Sequence, residues 1–249
     1  MKLRETLGEQ DVLVVMDFTD EQVNQDHHQD LIITLITKKA SEPPPPKKKI
    51  HKNVPPSRPK PSNHIQYLHF VGEARIKNDF SFVLHIFHNH LVDRLRRFKK
   101  IDFFTDGGPK HFKISAIMNM LHHYSQHQLQ QQTITYHFYA SYHGHGICDA
   151  AASHAKSAIW ESIGETKRTP KTSQEICTII DKINNHISFP IPTTTNITQK
   201  FKTMVGIRSF HKFQFTPSSI VAYLSSSDTK EAKTFLPEQL HFFSSPPQL

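Results

Sequence analysis

The sequence predicts an α/β domain: a mixed sheet with helices on its faces. Three observations point there. Three strand-like apolar runs follow one another near the start. Helical and strand-like periodicities then alternate. Two of the runs, the first and the fourth, carry an aspartate near or at their end, Asp17 and Asp106.

Val12 to Phe18, VLVVMDF, is β-branched and apolar on both faces, which reads as a buried central strand. Leu31 to Thr37 reads as a second strand, and the polar DEQVNQDHHQD between them suits a hairpin-like return. Lys39 to Asn63 is rich in proline and lysine and reads as a disordered insertion. Ile65 to Ala74 is a third strand. Phe80, Val83, Leu84, Phe87, Leu91 and Leu95 then keep helical spacing, with Asn78 or Asp79 as the N-cap. A fourth strand ends at Asp106, where Gly107, Gly108 and Pro109 break it. Ile114, Ile117, Met118 and Leu121 mark another amphipathic helix, Thr133 to Ala140 a fifth strand, and Ala150 to Ile163 a third helix. Trp160 and Ile163 read as core contacts of that helix. Thr172 with Glu175 resembles a capping box, and Ile176, Ile179, Ile180 and Ile183 continue the helix it opens. GIRSFHKFQF suits one or two late strands, and FFSSPPQL a frayed end.

This order, three adjacent strands and then alternating helices and strands, is that of a ribonuclease H-like fold with a mixed five-stranded sheet and flanking helices. The expected division is a core over 1–170, interrupted by the insertion, and a C-terminal helical and extended extension over 171–249 that packs on it.

Composition narrows the function. The net charge of +8 is local: residues 38–60 hold eight Lys or Arg and one Glu, a net of +7, which leaves about +1 for the rest. PPPPKKKIHK resembles a nuclear localisation signal and would also attract polyanions. No stretch is long and apolar enough to span a membrane, and the charged first residues are not a secretory signal. Two cysteines, Cys148 and Cys177, make no disulfide framework.

Only eight glycines occur, and four of them flank two aspartates: Gly107 and Gly108 after Asp106, Gly144 and Gly146 before Asp149. In a ribonuclease H-like sheet the first and fourth strands are neighbours, so Asp17 and Asp106 would lie side by side, with Asp149 supplied by the helix after the fifth strand. Three clustered carboxylates repel unless cations neutralise them. Hard oxygen ligands suit Mg2+, and a pair of such ions (Mn2+ being a possible substitute) can hold both oxygens of an in-line phosphoryl displacement. Glycines would let a phosphate backbone approach the main chain. Each residue also has a plainer reading: Asp149 as an N-cap, Asp106 as the start of an Asp-Gly turn, the glycines as turn residues. Asp17 resists one, because a carboxylate closing so apolar a strand is costly unless paired or metal-bound. His143, His145 and Cys148 have a spacing possible for zinc, but no fourth ligand follows nearby.

MDFTDE at 16–21, TDGGPKHFK at 105–113 and FYASYHGHGICDAAASHAK at 138–156, with the late GIRSFHKF, resemble a family of transposase-like proteins of eukaryotic mobile elements with a DDE/DDD catalytic core. The resemblance covers roughly residues 12–215 apart from the insertion, and its third motif is the most specific. It implies Asp17, Asp106 and Asp149 as a catalytic metal-binding triad for two Mg2+ ions. It implies Lys113, beside Phe112, and His143, Gly144, Gly146 and Lys156 as DNA-binding residues. DNA would be the partner, with a homo-oligomer possible, and the nucleus the compartment. His145 stands where relatives usually carry lysine, and Asp20-Glu21 replaces their Glu-Asn. The alternative expectation is a catalytically inactive, domesticated or decayed descendant that binds nucleic acid or protein. No DNA-reading module precedes the first strand, so a fragment of a longer element product is also an expectation.

Overall fold

The computed structural model of the chain describes residues 6–23, 26–38, 63–73, 76, 79–106, 112–139, 146–192, 203–236 and 238. Among the described residues, nine strands form one mixed sheet: β1 (Asp11–Val23), β2 (Asp26–Lys38), β3 (Asn63–Gly72), β4 (Lys100–Thr105), β5 (Thr133–Phe138), β6 (His186–Ile191), β7 (Lys212–Thr216), β8 (Ser219–Tyr223) and β9 (Lys233–Phe235). Their spatial order is β6-β3-β2-β1-β4-β5-β7-β8-β9. The five expected strands are contiguous at its centre. β1, β2 and β3 pair antiparallel, and β1, β4 and β5 pair parallel.

The sheet is larger than the five strands expected. β6 adds parallel to β3, and β7, β8 and β9 meander antiparallel outward from β5. Residues beyond 170 therefore extend the same sheet. The insertion at 39–62 lies outside the described residues, and Asn63 already begins β3.

β1 explains its own composition. Its even positions Val12, Val14 and Met16 enter one core and its odd positions Leu13 and Val15 another. A strand covered on both faces has no polar side, hence the unbroken VLVVM. The even face is covered by α1 (Phe80–Ile86), a π turn (Phe87–Leu91), α2 (Val92–Leu95) and α3 (Ser115–His127). Phe82, Phe87, Leu91, Ile117 and Leu121 are fully buried there, each contributing roughly 1.5–3 kcal/mol. Asp79 caps α1 as expected, its Oδ1 accepting from the Ser81 N–H at 2.9 Å.

The odd face is covered by α4 (Ile147–Thr166), beside α5 (Ser173–Ile180). α4 begins three residues earlier than expected, with Gly146 as N-cap, so Asp149 lies in its first turn and not at its mouth. Ala151, Ala152 and Ala155 let this helix lie close on β1 and β2. Trp160 corrects another expectation: Ile159 takes the core position, and Trp160, one helical step round, is 64% exposed. Thr172 caps α5 as expected, accepting from the Glu175 N–H at 3.2 Å. Among the described residues no helix is long and apolar enough to cross a membrane.

Candidate functional site

Register decides which aspartates meet. β1 and β4 run parallel, and their ladder ends with Val15 opposite Phe104. Two residues further along each chain come Asp17 and Asp106. Side chains alternate along a strand, so both belong to the odd face, at the C-terminal ends of neighbouring strands. Asp17 is half-buried and Asp106, just past β4, is exposed. α4 descends on this face and brings Asp149 toward the same end.

The electrostatics follow from that placement. Burial first, then the charge of Asp106 and, less strongly, that of Asp149 push the Asp17 carboxyl from 3.8 up to about 6. The Phe18 N–H, donating to Asp17 Oδ1 at 2.9 Å, opposes the rise without cancelling it. Asp17 thus sits among like charges with one backbone donor for support.

Asp149 is held differently. Its Oδ2 accepts a short hydrogen bond from the Gly146 N–H, the capping arrangement of a helix first turn. Its charge reaches Asp17, but one of its oxygens is committed to its own helix. Among the described residues no three His, Cys, Asp or Glu side chains are grouped to hold a metal ion. Asp17 and Asp106 are chemically suited to a divalent cation.

Gly146 has an ordinary φ of −89°, and a Cβ there would meet nothing closer than Asp149 Oδ2 at 3.5 Å. The local backbone therefore does not require glycine at 146. Gly107, Gly108, His143 and Gly144 lie outside the described residues.

The two lysines part company. Lys156 Nζ donates to Thr19 Oγ1 at 3.2 Å. Thr19 lies two residues past Asp17 on the same face of β1, so Lys156 joins the Asp17 region from the exposed side of α4. Lys113 is buried. Its ammonium donates to the Arg208 carbonyl at 3.0 Å and lies 5.0 Å from the Phe138 ring centroid, and burial lowers its pKa. Its neighbour Phe112 stacks on Phe18 at 5.5 Å, tying the second motif to the first through the opposite core.

Cys148 is packed against the strands. Its thiol lies 3.5 Å from Thr34 Oγ1 and 3.5 Å from the Val15 carbonyl, and burial drives its pKa up to about 12. A thiol so placed is a core group, which removes it from any zinc reading.

Sequence reasoning missed a second polar cluster on this face. Asp30 Oδ2 lies 2.7 Å from His69 Nδ1, and His69 Nε2 lies 2.9 Å from His186 Nδ1. Asp30 Oδ1 also accepts from the Phe70 N–H at 3.0 Å. Asp30 and His69 are wholly buried. The strand alternation placing Asp30 opposite Thr19 was a usable signal; the pairing of β3 with β6 that brings in His186 was not.

No curated protein matches the chain. Among solved structures it is similar to a chain in the cryo-EM structure of a simian T-cell lymphotropic virus intasome in complex with PP2A regulatory subunit B56 gamma. The identity is 12%, the TM-score 0.40, and the match covers 96% of this chain and 80% of that one. A family model matches residues 76–227, a span that includes Asp106 and Asp149 and begins after Asp17. That span is more than half of the chain, which therefore belongs to the family described as Domain of unknown function (DUF8701).

Proposed function

We propose that the chain is a ribonuclease H-like catalytic core of the DDD type, an integrase- or transposase-like domain that cleaves and joins DNA phosphodiesters with a divalent cation, Mg2+ or Mn2+. The observation that carries this reading is the pair Asp17 and Asp106, on one face at the C-terminal ends of neighbouring parallel strands, with Asp17 costly to ionise. The central order β3-β2-β1-β4-β5, with its antiparallel and parallel pairs, supports the fold assignment.

Asp17 and Asp106 would hold the cation, and Asp149 would complete the set. When bound, it would neutralise the carboxylates and polarise a phosphoryl oxygen. Lys156 supplies a point charge for a phosphate along β1. Gly146 supplies a side-chain-free approach to the helix N-terminus. The nucleus is the compartment this reading favours, on the basic segment's resemblance to a localisation signal.

A second reading is a non-catalytic descendant that retains the fold and binds nucleic acid or protein. The engagement of Asp149 by Gly146 and the burial of Lys113 favour it. Strand cleavage in Mg2+ or Mn2+ separates the two. The first reading expects nicking of duplex DNA by the native chain and none by Asp106→Asn. Equal activity in both proteins sinks it, and no activity in either favours the second.

A further inference from the structure

A cavity of about 310 Å³ opens at the other end of the sheet, lined by Leu35, Thr37, His64, Gln66, Arg94 and Arg97. Its floor is two cross-strand pairs, Leu35 with Gln66 and Thr37 with His64, where β2 ends and β3 begins. Arg94, from α2, and Arg97, just past it, close over them. The register sets Thr37 beside Val12, five residues along β1 from Asp17. At about 3.3 Å per residue that is roughly 17 Å along the strand.

Both guanidinium groups lie over aromatic rings. Arg94 lies 5.2 Å from the Phe189 ring centroid and Arg97 4.8 Å from that of Phe98, contacts that orient a planar cation without cancelling its charge. The nearby Asp93 pairs with Arg96 at 3.2 Å. Among the described residues no carboxylate pairs with Arg94 or Arg97, and none lines the cavity. Thr37, His64 and Gln66 add polar groups. Two guanidinium forks lining one cavity with hydroxyl and amide donors match a tetrahedral oxyanion, which accepts such forks two bonds at a time.

We propose that this cavity binds a phosphate of a nucleic-acid backbone, at the end of the sheet away from Asp17. A polymer is favoured over a lone phosphate because the chain carries a net charge of +8, from which a polyanion gains more than a single phosphate does. The chain leaves the sheet at Lys38 and re-enters at Asn63, and the sequence between carries almost all of the protein's net charge. The inference shares a nucleic-acid partner with the reading above but none of its chemistry, so a chain that never cleaves DNA still binds here.

The test uses the full chain and a fluorescein-labelled duplex, with fluorescence anisotropy over a salt series. Arg94→Gln/Arg97→Gln should weaken binding by about tenfold at low salt and reduce the log–log salt slope by about 0.9, the loss of one phosphate contact. Arg96→Gln, an exposed neighbour of the same charge, should leave both nearly unchanged. Equal losses in the two proteins, or none in either, overturn the site. A second measurement needs no variant: arginine modification by phenylglyoxal, mapped by mass spectrometry. The duplex should protect Arg94 and Arg97 and spare Arg96. Uniform or absent protection overturns the site. Equal protection by inorganic phosphate or a phosphopeptide at matched phosphate concentration overturns the nucleic-acid assignment.

Discussion

Asp17 and Asp30 lie on neighbouring strands, on the same face, near the same helix, and are held in opposite ways. Asp30 is wholly buried and fully engaged, one oxygen on His69 and the other on the Phe70 N–H. Asp17 is half-buried, has one backbone donor, and faces Asp106 and Asp149. Complete satisfaction inside a core is what a structural carboxylate needs. Like charges gathered at a strand end cost stability, and such costs persist where a ligand offsets them. The difference is why the proposed site is built on Asp17 and not on the more buried Asp30.

The largest expected effect is at Asp30. Asp30→Ala would orphan the Phe70 N–H and break the His69–His186 chain. Urea unfolding should show a loss of about 3–5 kcal/mol, or no folded protein at all. A loss below about 1 kcal/mol would mean that the relay is not structural, and the contrast with Asp17 would collapse.

Asp17→Asn should act in the opposite direction and depend on pH. The folded-state pKa, about 6, lies above the ordinary 3.8. Below pH 3.8 the group is protonated in both states. Between 3.8 and 6 the unfolded chain gives up its proton first, so stability falls as pH rises, and above 6 the penalty is constant. The asparagine variant escapes it: the full shift corresponds to about 3 kcal/mol, which solvent screening at this half-buried group reduces to about 1–2 kcal/mol at pH 8, with nothing gained at pH 3.5. Mg2+ or Mn2+ should relieve the same penalty, raising the thermal midpoint of the native chain at pH 8 and not that of Asp17→Asn. A pH-independent variant, or equal metal shifts in both, would break the comparison.

Cys148 sharpens it at smaller scale. One residue from Asp149, its thiol is sealed against β1 and β2 with a pKa near 12. A thiol reagent should label it only as fast as the protein opens, at least about a hundredfold slower than in urea. Rapid labelling in the native state would mean that the first turn of α4 is open.

What the sequence made legible follows from where its signals are local. β1 to β5 were readable because strands covered on both faces must be apolar. The outer strands were not: HISFPI contains Pro190, and β6 earns its place only by pairing with distant β3. Asp17 and Asp106 were visible because a charge closing an apolar run is conspicuous. The start of α4 was missed because Gly146, Ile147 and Cys148 resemble a turn until the helix beyond them is seen to need an N-cap. Trp160 was misplaced by assuming that a large ring must be inside. The Arg94–Arg97 cavity left no trace, since its walls come from segments far apart in the chain.

Lys156 offers the smallest effect and the finest discrimination. Its hydrogen bond to Thr19 is solvent-exposed, and such bonds contribute little to folding. Lys156→Gln should therefore change stability by less than about 0.5 kcal/mol. If the lysine serves Asp17's site, its charge matters only when a phosphate is present: duplex affinity should drop and the salt slope shrink by about 0.9. That loss should add to the loss from Arg94→Gln/Arg97→Gln, because the two places lie at opposite ends of the sheet. A variant that loses stability and leaves binding unchanged would make Lys156 a strut between α4 and β1. The proposed DNA contact on the exposed side of α4 would then be lost, and Asp17 would keep its raised pKa without it.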